Sequence, residues 1–160
     1  MVKRTPADNY FSKCVRARAN WACEYCGIDL TNDRGRLHCS HFISRGYHAT
    51  RYHPLNAFAH CSGCHQKLGG GRWGGGNVAE FAAHYDDVYG SDNREFMRAL
   101  SKLTFLRHKH HVKPIADHYR MIYRDMERRR EGGEDCRIEF DEYPELTTMS
   151  NKISFELIRG

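Results

Sequence analysis

Helical periodicity at both ends, and between them a Cys-, His- and Gly-rich stretch with two Cys-x2-Cys pairs, predict an α+β fold gathered around a bound metal. At 160 residues the chain suits one compact domain, with no case for two large ones. In order, we expect an N-terminal helix packing on the core over residues 1–22 and a metal-bound core over 23–90. A helical portion over 91–131 and an acidic tail over 132–160 with a small β-hairpin complete the chain.

Thr5-Pro6-Ala7-Asp8 has the form of a helix start, with Thr5 as N-cap, Pro6 at the first helical position and Asp8 closing a capping box. Phe11, Cys14, Val15 and Arg18 follow at i, i+3, i+4, i+7, so residues 6–19 form an amphipathic helix with Cys14 a buried thiol on its apolar face. Residues 23–75 have little helical periodicity. The glycine run around Arg72 and Trp73 is not followed by a Lys-Ser/Thr pair, which excludes a phosphate-binding loop and leaves a flap whose Arg72 and Trp73 are free to touch a substrate. Helical pattern returns at Val78, Phe81, Ala82 and Tyr85, and again at Phe96, Leu100, Leu103 and Leu106. A last helix starts at Pro114 and carries Ile115, Tyr119, Ile122, Tyr123 and Met126 on one face. Arg128, Arg129 and Arg130 at its end either complement the helix dipole or meet phosphates. Alternation over Arg137–Tyr143 and Ile153–Ile158 predicts the two strands of the hairpin.

The cysteines point to zinc. Cys23-Glu24-Tyr25-Cys26-Gly27 and Cys61-Ser62-Gly63-Cys64-His65 place thiolates two residues apart, each pair able to bite one tetrahedral ion from a tight turn. Four soft sulfur ligands favour zinc over an iron centre. Cys39 and Cys136 lack partners at this spacing. No apolar run approaches the roughly 18 residues of a membrane span, and the first residues lack the apolar stretch of a signal peptide, so the expected location is the cytoplasm, where thiols stay reduced.

Charge points to a polyanion. Residues 1–20 carry five Lys/Arg against Asp8 alone, and residues 34–79 carry six Lys/Arg and six histidines with no acid. From Glu131 to Gly160 the sign reverses, with eight acids against three bases. A basic front with an acidic tail favours nucleic acid as partner, and the tail could fold over the basic face as a DNA mimic.

Between the cysteine pairs lie His38-Cys39-Ser40-His41-Phe42-Ile43 and Asn56, with His65 directly after Cys64. Hydrolysis of a phosphodiester needs a base for water and a cation at the leaving oxygen, and a histidine at a strand end facing one at a helix start supplies both. At these residues the chain resembles the HNH, or ββα-metal, nucleases, whose site sits on a treble-clef-like zinc scaffold. It is similar in particular to phage recombination nucleases of the NinG/Rap type. The matching stretches are Phe11-Ser12-Lys13-Cys14-Val15-Arg16-Ala17-Arg18, Cys23 to Gly27, His38 to Arg45, Thr50-Arg51-Tyr52 with Asn56, and Cys61 to His65, and the resemblance covers about residues 8–130.

The resemblance implies a DNA endonuclease with His41 as general base, Asn56 tying down the loop that orients it, and His65 as ligand of a catalytic divalent ion. His38, where the family often has Asp, and Asn77 are further ligand candidates. Without a carboxylate in this stretch, the ligands suit Mn²⁺, Ni²⁺, Co²⁺ or Zn²⁺ better than Mg²⁺. Arg45 and Arg51 are expected on phosphate, with Arg16, Arg18, Lys67 and Arg72 as further DNA contacts. His48, His53, His60, His84 and His118 are expected as packing or solvent residues, and His108, His110 and His111 as a basic turn. Two other classes compete: a zinc-stabilised nucleic-acid-binding module without catalysis, which has no use for the His41, Asn56, His65 set, and a protein-interaction adaptor working through its tail and C-terminal helices.

Overall fold

The computed structural model describes residues 2–69, 76–103, 109–148 and 150–151. Its order is α1 (Pro6–Arg18), β1 (Leu37–His41), β2 (Ala57–Cys61), α2 (Ser62–Gly69), α3 (Val78–Tyr89), α4 (Ser91–Ser101) and α5 (Lys109–Glu131). The expected α+β class is present in this form: a two-stranded sheet flanked by helices, with four cysteines close enough to hold a metal.

The strands pair antiparallel, Leu37 with Cys61 through His41 with Ala57. Alternation sends their side chains into two cores. Leu37, Ala57 and Ala59 join Phe11 and Val15 of α1 and Tyr119 and Met126 of α5. Phe58, on the other face, joins Leu68 of α2, Phe81 and Tyr85 of α3 and Met97 and Leu100 of α4. The first core also takes Trp21, Cys23, Ile138 and Leu146, so it draws on segments from the N-terminal helix to the tail.

α1 begins as expected. The Thr5 hydroxyl accepts from the Asp8 amide at 3.4 Å, and the Asp8 carboxylate accepts from the Thr5 amide at 2.7 Å. The same carboxylate also holds Arg51, from the loop between the strands, which donates to it through Nε at 2.8 Å and Nη2 at 2.6 Å. Arg51 and Asp8 are both buried. Burial pushes the Asp8 carboxyl up, but Arg51 and Thr5 outweigh it and hold the group below the usual carboxylate range. A second buried pair ties α1 to the turn bearing Cys23: Arg18 donates to Glu24 at 3.2 Å and to the carbonyls of Pro54 and Ala57 at 3.0 and 2.6 Å.

Three expectations change. α5 is already helical at Lys109, so Pro114 lies inside it and not at its start. Val78, expected on a buried face, is exposed at the first position of α3. Residues 137–143 form no strand; Ile138 donates to the Arg18 carbonyl at 3.2 Å and its side chain enters the first core. The alternation there reflects one chain lying across a helix end. The proposed partner strand, Ile153–Ile158, lies outside the described residues, as do Leu106 and His108. Arg128, Arg129 and Arg130 serve the fold: Arg128 pairs with Asp125, Arg129 with Glu134, and Arg130 donates to the Glu134, Cys136 and Ala17 carbonyls.

Asp8→Asn leaves the buried Arg51 guanidinium without its counter-charge, and losing one partner of such a pair costs about 3–5 kcal/mol. Urea unfolding should show a loss of that size. The carboxyls of Asp8 and Glu24 both sit below their unfolded values of about 4. Their contribution is therefore whole above that pH and disappears as pH falls through the folded values. Acid titration should reach its midpoint at higher pH in the variant.

Candidate metal centre and histidine cleft

Cys23, Cys26, Cys61 and Cys64 bring their sulfur atoms within 4.8 Å of one another. Cys26 and Cys61 are 3.9 Å apart, close to the roughly 3.8 Å edge of a tetrahedron with metal–sulfur bonds of about 2.3 Å. The turn that presents the first pair closes through Gly27, whose φ of +74° an L-residue adopts only at a cost. Backbone amides brace the sulfurs: Cys61 N donates to Cys23 Sγ at 3.3 Å and Cys64 N to Cys61 Sγ at 3.5 Å. Four sulfurs so arranged can hold a structural metal such as zinc. The other expected thiols stay apart. Cys14 donates to the Tyr119 carbonyl at 3.2 Å, Cys136 is exposed, and Cys39 is half-buried, its thiol pushed up to about 12 by burial.

The same junction places His65. α2 starts at Ser62, so His65 stands in its first turn and points back to β1. Its Nδ1 lies 3.2 Å from Nδ1 of His38. Two nitrogens bound to one ion at about 2.1 Å would sit roughly 3.0–3.4 Å apart, so the spacing fits a shared ion as well as a direct hydrogen bond. Burial lowers both imidazoles, and each is further lowered by neighbouring charge, Arg16 at His38 and His38 itself at His65. Neutral rings are the ligand form.

His41 closes β1. Its Nε2 lies 3.0 Å from the Arg51 carbonyl, which can only accept, so the proton sits on Nε2 and Nδ1 is left as an acceptor, with the Cys39 thiol 4.0 Å away. Burial lowers the imidazole to about 4, partly offset by that carbonyl. Asn56 is fully buried and staples the long inter-strand loop. Its Oδ1 accepts from Ile43 N at 2.7 Å, and its Nδ2 donates to the Ile43 and Thr50 carbonyls at 3.0 and 2.9 Å. It touches the loop.

His38, His41 and His65 line one cleft of about 1040 Å³, together with Arg4, Lys13, Arg16 and Arg45. Asp8 is the sole acid among its lining residues and is engaged by Arg51 and Thr5. Ser40, beside this floor, has a buried hydroxyl without a hydrogen-bond partner among the described residues.

Several expected contacts are corrected. Arg18 and Arg51 are fully buried in ion pairs and do not reach a phosphate. Lys67 is paired with Glu80 and Tyr25 and does not line the cleft. Asn77 caps α3, its Oδ1 accepting from Glu80 N at 3.0 Å, which removes it from the ligand set. Arg72 and Trp73 lie outside the described residues. None of the described tail residues lines the cleft; Glu142 instead meets buried His53 at 3.2 Å. His60 and His84 pack together at 3.3 Å against Phe58, in the packing role expected of them. Arg4, Asn9, Ser12 and Lys13 were missed as cleft residues. Asn9, Ser12 and Lys13 share with Arg16 the helical flank beside the Phe11 face, so the period already carried the signal.

Comparison with family models, curated proteins and solved structures finds no match. Among the described residues no helix is long and apolar enough to cross a membrane.

Stripping the metal with a chelator, or replacing Cys64 by Ser, should cost several kcal/mol and lower Tm by about 10 °C or more. Zinc addition should restore the stripped protein and not the variant. Equal melting with and without metal would contradict a structural role.

Proposed function

We propose that the chain is an HNH-type DNA endonuclease, a treble-clef-like ββα-metal fold akin to the phage recombination nucleases of the NinG/Rap type. The observation that supports the reading best is the state of His41: Nε2–H engaged by a backbone carbonyl and Nδ1 left unprotonated, on a ring that lines a basic cleft shared with His38 and His65.

In the proposed reaction His41 Nδ1 takes a proton from water, and the resulting hydroxyl attacks phosphorus. The Arg51 carbonyl steadies the imidazolium through Nε2–H, and Asn56 keeps that carbonyl's loop in register. The P–O3′ bond breaks and the 3′-oxyanion takes a proton from solvent, leaving a 5′-phosphate and a 3′-hydroxyl, while His41 returns its proton to solvent. A divalent ion held by His38 and His65 would supply positive charge to the leaving oxygen. With imidazole ligands only, Mn²⁺, Co²⁺, Ni²⁺ or Zn²⁺ suits the pair better than Mg²⁺. Water attack assisted by an ion is compatible with DNA as substrate, since it makes no use of a ribose hydroxyl. The expected setting is the cytoplasm.

Zinc-loaded protein should nick supercoiled plasmid with Mn²⁺, Co²⁺ or Ni²⁺, and His41→Ala should lose about 10²-fold or more of the rate with folding intact. Because His41 is neutral well below neutrality, the rate should stay level from about pH 8 to pH 6; a fall centred near 6.5, the ordinary histidine value, would contradict the assigned base. No cleavage with any ion, alongside retained DNA binding, would favour a non-catalytic zinc-stabilised module.

A further inference from the structure

The flank of α1 that faces the cleft has no partner for its charge. Asn9, Ser12, Lys13 and Arg16 fall at i, i+3, i+4, i+7 and line one wall, with Arg4 just ahead of the helix and Arg45 across the cleft. Arg4, Lys13, Arg16 and Arg45 form no ion pair among the described residues. The arginines that do pair, Arg18 and Arg51, lie in the interior. Packing explains part of the flank: Arg16 Nε donates to the Ser12 carbonyl at 3.1 Å and its guanidinium lies 5.4 Å from the Trp21 ring, while Lys13 lies over Tyr10. Neither contact neutralises a charge. Four cations around three neutral imidazoles form a site for a polyanion.

We propose that this flank of α1 is a rail for the phosphates of one DNA strand, which Arg4, Lys13 and Arg16 hold so that one phosphate reaches His41. The inference rests on the nuclease reading and adds to it the surface that positions the substrate. From residue 9 to residue 16 the helix advances about 10.5 Å, long enough for its cations to meet neighbouring phosphates of one strand. The rail is rigid with respect to the base because one residue registers both: Arg51 clamps Asp8 of α1 with its guanidinium and His41 with its carbonyl. Lys13, Arg16 and Arg4 are positioning residues here and take no proton.

The test is the salt dependence of binding to a labelled single-stranded DNA oligonucleotide, read by fluorescence anisotropy. It uses zinc-loaded full-length protein in a His41→Ala background with no catalytic ion added. The slope of log K against log salt should fall by about 0.7 for each phosphate contact removed. Lys13→Gln and Arg16→Gln should each show that step, and the triple variant with Arg4→Gln about 2. The conservative Lys13→Arg and Arg16→Lys should keep the parental slope, and Lys113→Gln, on the exposed face of α5, should leave it unchanged. Arg4→Gln with Lys13→Gln keeps the test open if loss of the Arg16–Trp21 contact unfolds the chain. A folded triple variant with the parental slope would overturn the rail, even if the native protein nicks DNA. A reduced slope in a protein that never cuts would uphold the rail and sink the nuclease.

Discussion

Four cysteine sulfurs drawn to within 4.8 Å of one another can hold a metal ion, and a cation at their centre would turn that crowding into a clamp. The clamp joins the turn after α1 to the end of β2 and the start of α2, and the arrangement of the site follows from it. α2 is two turns long and carries one buried residue, Leu68, so its own packing is a weak constraint. Fixing Cys61 and Cys64 sets the direction in which α2 leaves the sheet, and so brings His65 against His38.

A second constraint acts through buried charge. Arg51 and Arg18 each satisfy a carboxylate in the interior and also donate to backbone carbonyls, Arg51 to Lys3 and Arg18 to Pro54. A buried pair of this kind adds little net stability against an apolar replacement, but it admits few alternative arrangements. Here the arrangement it selects orients His41 through the Arg51 carbonyl and seats α1 beside the same cleft. Structural and chemical roles meet in one residue, its two ends serving different partners.

Much of this was legible in the sequence where the signal is local. The Thr5–Asp8 cap, the two cysteine pairs and the α1 period each depend on residues a few positions apart, and each appears as read. Arg18 was expected on DNA, but it stands at i+7 from Phe11, on the apolar face, and that position outweighs its charge. Arg51 was not legible, because its partner Asp8 lies 43 residues away and a basic residue in an acid-free loop has the same composition whether it is paired or free. Asn77 failed for a related reason. An Asn before a helical run satisfies the cap and the ligand pattern equally, and only Glu80 at the third position, whose amide it accepts, separates them. The alternation at 137–143 misled because period two describes any extended chain with one covered face, whether or not it has a strand partner.

If the proposed function holds, a sulfur-bound structural metal and an imidazole-bound ion occupy separate sites in one chain. X-ray absorption at both metal edges, on zinc-loaded protein given one equivalent of Co²⁺, distinguishes the two sites. Zinc should show four sulfurs at about 2.3 Å, and cobalt a nitrogen and oxygen shell without sulfur. Sulfur in the cobalt shell together with nitrogen in the zinc shell would contradict that separation, since the two ions would then share one mixed site.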